Sequence, residues 1–237
     1  MMSEIIQLIV YSFLAGFAIF VGGFIASIEK FPEGEIKDDV LRGIIAFGGG
    51  LLVAAIALVL VPPGLHKLNT FAILSTFLLG AGVFSMVDKH LSQKGGSRAQ
   101  MLAMMMDFIP EAIALGALFA KEHKLAILLA FFIAAQNLPE GFNAYKECCR
   151  INIKKAKIFT TMVVLSLAGI PAVFLGKTLL EGHPKIVAAV MMFAAGGILY
   201  LVFQDIAPQS SKKKHWIPAL WACLGFMVGM LGQRLIG

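Results

Sequence analysis

Apolar runs of about twenty residues recur from one end of this chain to the other. The connections between them are short, the longest being 28–42 and 146–156. A backbone in hydrocarbon must satisfy its own N–H and C=O groups, and one continuous helix per run does so. Windows of that size predict eight spans, at roughly 5–27, 43–65, 70–91, 99–120, 124–145, 157–180, 186–207 and 216–236. The chain is 59% hydrophobic and only 14% charged, against about 45–50% and about 25% for a soluble domain. The expected fold is an all-α integral membrane protein, with residues 1–237 as a single transmembrane domain. The run from Ile5 to Ile28 exceeds the apolar part of a cleavable signal and reads as the first span.

The net charge of +6 does not point to nucleic acid, because the basic residues are spread over short loops. They point to topology. With the N-terminus outside, 14 of the 20 Lys and Arg fall on the inner side, from Lys30, Lys37 and Arg42 to Lys212, Lys213 and Lys214. The other 6 are outside. The positive-inside rule therefore places both termini in the periplasm or extracellular space of a multi-pass cell (inner) membrane protein. Cys148, Cys149 and Cys223 form no disulfide framework and read as free thiols, the adjacent pair alternatively as a transient metal-handling site.

The second span reads GGGLLVAA and the seventh AAGGILYLV, each followed by a proline, Pro62 and Pro208. Five spans apart, two such copies would run in opposite directions, as inverted transporter repeats do.

Spans four and five carry residues that do not belong in oil. Span four holds Asp107 and Glu111, and span five holds Gln136 and Glu140. In each span the two polar residues stand four apart, on one helix face, with a proline before the second. The spans are consecutive and tightly connected, so the two faces can converge. A central charge costs roughly 2.5–3.5 kcal/mol, so three ionised carboxylates would cost on the order of 8–10 kcal/mol. No Lys, Arg or His sits at mid-depth to compensate. A bound cation is the natural answer. Protonation competes with it, in the form of two kinked helices whose neutral carboxyls bond each other. Pro110 and Pro139 also free the carbonyls of Met106 and Ala135, and such oxygens are tolerated at depth where they line a cavity or meet an ion.

Along span five, Gln136, Glu140, Asn143 and Glu147 form one polar stripe about 16 Å long, with apolar Phe131, Phe132 and Ile133 before it. The stripe predicts a wet path toward the cytosol and an inward-open resting state. Asn69 and His66 are the polar residues available on the other side.

Proline–glutamate pairs at matching places, PEA in span four and PEG in span five, resemble the ZIP family of divalent-metal transporters, in a divergent prokaryote-like form. The resemblance covers essentially the whole chain. It implies a ZIP-like bundle, with an inverted repeat of outer helices around central helices four and five, and a homodimer. It implies metal ligation by Asp107, Glu111, Gln136 and Glu140, with Asn137, Asn143, Glu147 and Met106 as secondary or exit-path candidates. The family usually has His at the position of Asp107 and Asn at that of Phe108. Members with a second metal use the Phe108 position and an acidic residue in span six, where this chain has Ile170 before Pro171. One metal is therefore expected.

A site of carboxylates and an amide is hard and suits Mn²⁺, Mg²⁺ or Ca²⁺ better than one holding His or Cys, though zinc and iron still bind carboxylates. The expected substrate is a divalent transition metal, zinc- or cadmium-like. The methionine run ending at Met106 suggests core packing rather than Cu(I). The expected function is alternating-access transport toward the cytosol. The alternatives are a membrane metal sensor or transport-inactive relative, and a channel. No His-Glu-x-x-His set suggests an enzyme.

Overall fold

A computed structural model describes residues 2–30, 34–94, 97–119, 121–211 and 216–237. Lys212, Lys213 and Lys214, counted above on the inner side, and the neighbouring His215 lie outside the described residues. The described chain is helical throughout, without strands: α1 (Met2–Ile28), α2 (35–67), α3 (Thr70–Lys94), α4 (Ser97–Leu118), α5 (His123–Arg150), α6 (Lys155–Leu180), α7 (184–210) and α8 (Ile217–Ile236). Seven of these are long and apolar enough to cross a membrane. Eight spans were expected; α4, which carries Asp107 and Glu111, is not among the seven.

Prolines shape the helices in two ways. Pro184 and Pro218 open α7 and α8, where a missing N–H costs nothing. Inside α2 and α7 the backbone widens into a five-residue π turn, Ile56–Leu60 and Val202–Ile206. Each π turn lies just before a proline, Pro62 or Pro208. The ring of a helical proline clashes with the carbonyl four residues earlier, and that carbonyl falls inside the widened turn. Gly50 and Gly196, Ile56 and Val202, and Pro62 and Pro208 are each 146 residues apart. The sequence match between these two helices is thus also a match in backbone geometry.

The helices sort into two groups. In one, α1 packs on α5 and α6, and α4 packs on α6 and α5; in the other, α2 packs on α8, and α3 on α7. Exchanging α1 with α6, α2 with α7, α3 with α8 and α4 with α5 reproduces the same pattern of neighbours. Each principal pair is closed by one glycine from each helix: Gly22 and Gly141, Gly116 and Gly176, Gly80 and Gly196, Gly50 and Gly225. At each of these eight, an added Cβ would lie 1.9–2.2 Å from a partner backbone carbonyl oxygen. Backbone meets backbone there, the approach that small residues permit between membrane helices.

The triple glycine of α2 has a simple explanation. Successive helical residues point about 100° apart, so each glycine faces a different neighbour. Gly48 meets the ring of Pro139 on α5, Gly49 meets Ile206 on α7, and Gly50 meets the Ala222 carbonyl on α8.

Candidate functional site

The site lies where α4 crosses α5. Both helices continue past their internal prolines, Pro110 and Pro139. Asp107, Glu111 and Gln136 are buried, at 4%, 0% and 0% exposure. The Gln136 amide Nε2 donates to Glu111 Oε2 at 2.7 Å, so the two expected faces do meet. Asp107 Oδ1 accepts the Phe108 backbone N–H at 2.8 Å. The carboxyls of Asp107, Glu111 and Glu140 are near enough for their charges to interact.

Oxygen atoms dominate the pocket. Among the described residues, no donor reaches Glu111 Oε1, Gln136 Oε1, or either carboxylate oxygen of Glu140, although all four atoms are buried. A buried acceptor without a partner costs about 1–3 kcal/mol, and more when charged. No Lys, Arg or His forms an ion pair with these carboxyls among the described residues. The chemistry on offer is acceptance: of protons, of water hydrogens, or of a cation. Among the described residues, no three His, Cys, Asp or Glu side chains already converge as a metal centre.

The other candidates take different places. Asn137 turns away from the pocket, and its Nδ2 donates to the Ala15 carbonyl of α1 at 2.9 Å. Met106 packs against the apolar core. Asn143 Nδ2 donates to Gln209 Oε1 on α7 at 3.1 Å, and Glu147 pairs with Arg150 one turn on. Asn69 caps α3 by accepting the Ala72 N–H at 2.8 Å. Phe108 is 1% exposed and fills the space between α1 and α6. Its Cζ would lie 3.1 Å from a Cβ on Gly16 and 2.6 Å from one on Gly169. An aromatic ring thus fills the space beside these two glycines.

Asn143 and Glu147 line a cavity of about 280 Å³, with Asp38, Arg42, Lys146 and Gln209 among its other walls. It lies at the end of the bundle where α2 begins and α5 and α7 end, hereafter the basic end. Phe142 and Asn143 line the cavity, and none of Asp107, Glu111, Gln136 and Glu140 does. Phe142 is 5% exposed, and Asn143 is bonded there to Gln209.

Sequence reading missed a second polar group. Tyr200 Oη donates to Asp88 Oδ2 at 3.0 Å, joining α7 to α3. Asp205, in the π turn of α7, lies within electrostatic reach of Asp88. Both aspartates fall inside predicted spans, so their positions were a signal already present. Compared with known families and with curated proteins, the chain matches no family model and no curated sequence.

Proposed function

We propose that the chain is a secondary transporter that moves a divalent transition-metal cation across the cell membrane by alternating access, with one ion held by Asp107, Glu111, Gln136 and Glu140. The observation that carries this reading is the set of buried oxygens on Glu111, Gln136 and Glu140 that no donor among the described residues reaches. In this proposal α4 is the eighth span. It links the end of α3 to the start of α5, two crossing helices whose facing termini lie at opposite ends of the bundle. The 146-residue correspondence of α2 and α7, five helices apart, supports an inverted repeat around α4 and α5. In this reading the bundle is ZIP-like and forms a homodimer, as the sequence resemblance implies. The basic end faces the cytosol, by the positive-inside rule, and the ion leaves past Asn143 and Glu147.

Flux into proteoliposomes with Zn²⁺, Cd²⁺, Mn²⁺, Fe²⁺ and Co²⁺ tests the proposal. Saturable flux is expected, and Glu111→Ala and Glu140→Ala should each lower it at least about tenfold, the equivalent of about 1.4 kcal/mol. No flux with any ion, despite binding that both variants abolish, would overturn transport and leave a membrane metal sensor. Protons compete with the ion for the three carboxylates. Raising the pH from about 4 to about 6, out of the ordinary carboxylate range, should therefore tighten metal binding in isothermal titration. A pH-independent affinity contradicts a carboxylate site.

A further inference from the structure

The two helix groups meet along a boundary with few polar contacts. Two of them lie at opposite ends of the bundle. Lys67, at the C-terminus of α2, forms an ion pair with Glu122, in the 119–122 connection between α4 and α5. At the basic end, Asn143 of α5 donates to Gln209 near the C-terminus of α7. In both cases one partner belongs to the α1–α4–α5–α6 group and the other to the α2–α3–α7–α8 group. Two other ion pairs stay within one group: Lys146 bridges α5 to Glu29 beyond α1, and Glu147–Arg150 lies within α5.

The α7 end is itself held in place. Arg42 of α2 donates from one guanidinium nitrogen to the Gln209 carbonyl at 3.2 Å and to the Ser211 carbonyl at 2.7 Å. Carbonyls at a helix C-terminus lack intrahelical partners and attract a cation. Gln209 is therefore presented to Asn143 from a braced support, and it walls the cavity beside Asn143.

We propose that Lys67–Glu122 and Asn143–Gln209 are opposed latches, one holding each end of the boundary closed, so that releasing either opens the pocket toward that end alone. The proposal rests on the alternating-access reading, and it identifies this structure as a state in which both latches are made. The two differ in kind. Lys67 and Glu122 have 30% and 37% of their side-chain surface exposed, so salt screens that pair. The amide pair at the basic end carries no net charge and is insensitive to salt.

The test uses the full chain in lipid, with its three cysteines replaced by alanine and spin labels placed in pairs. Leu65 and Lys121 report on the Lys67 end, Glu35 and Ile151 on the basic end; all four are exposed. Lys67→Ala should raise the long-distance population of the Leu65/Lys121 pair about two- to fivefold, the range of an exposed ion pair, and leave the Glu35/Ile151 pair unchanged. Asn143→Ala should do the reverse. The double change Lys67→Glu with Glu122→Lys should restore the short distance, and high salt should lengthen it in the parent. Two results overturn the proposal: both distributions unchanged in both variants, or both ends lengthening together, which would indicate general loosening. The distances are read without metal and without flux, so failure of the latches is distinguishable from failure of transport.

Discussion

The contacts inside each helix group differ in kind from those between the groups. Inside, four reciprocal glycine pairs bring backbone onto backbone, and an added Cβ would strike a carbonyl oxygen at about 2 Å. Between the groups, glycines meet side chains instead: Gly48 meets Pro139, and Gly229 and Gly232 meet the rings of Phe132 and Phe131. A backbone carbonyl in a helix cannot yield without breaking its own hydrogen bond, whereas a ring can turn or slide. The molecule thus has stiff seams within each half and a compliant one between them. The oxygen-rich pocket, on α4 and α5, lies within one stiff half and close to the compliant boundary.

The sharpest way to break this comparison is Gly116→Leu. It drives a large side chain into the Val173 carbonyl and should cost about 3 kcal/mol or more, at the upper end of overpacking. A fall in thermal unfolding temperature in detergent measures it; an unchanged midpoint would mean that the seam can part. Gly48→Ala tests the other side. Its methyl would lie 3.0 Å from the Pro139 ring. It should leave stability within about 1.5 kcal/mol of the parent, while metal flux falls several-fold because the boundary no longer slides freely. Equal effects of the two substitutions on stability would erase the distinction. Asn137→Ala should have the smallest effect, about 0.6 kcal/mol for one hydrogen bond between membrane helices, with metal affinity unchanged in titration. A lost affinity would return Asn137 to the binding set.

Helical spacing places Asp107 with Glu111, and Gln136 with Glu140, on single faces before any neighbour is known. Short connections between consecutive spans then bring those two faces together, and the Gln136–Glu111 bond agrees. The same logic does not place Asn137, one residue from Gln136 and about 100° around the helix, because only the position of α1 decides what that direction meets. Asp88 and Asp205 are 117 residues apart, and nothing in either helix announces that the other lies opposite.

By itself, then, the sequence determined the apolar helices, the proline positions, the correspondence of α2 with α7 and the polar faces of α4 and α5. These follow from hydropathy and local periodicity, which act within one helix. Tertiary structure decided which helix fills each groove, why three adjacent glycines serve three neighbours, that Phe108 occupies the space beside Gly169, and that Asn143 meets Gln209 in the wall of a cavity. A helix's own periodicity fixes the direction of each side chain about its axis. What stands in that direction depends on close packing among elements far apart in the chain.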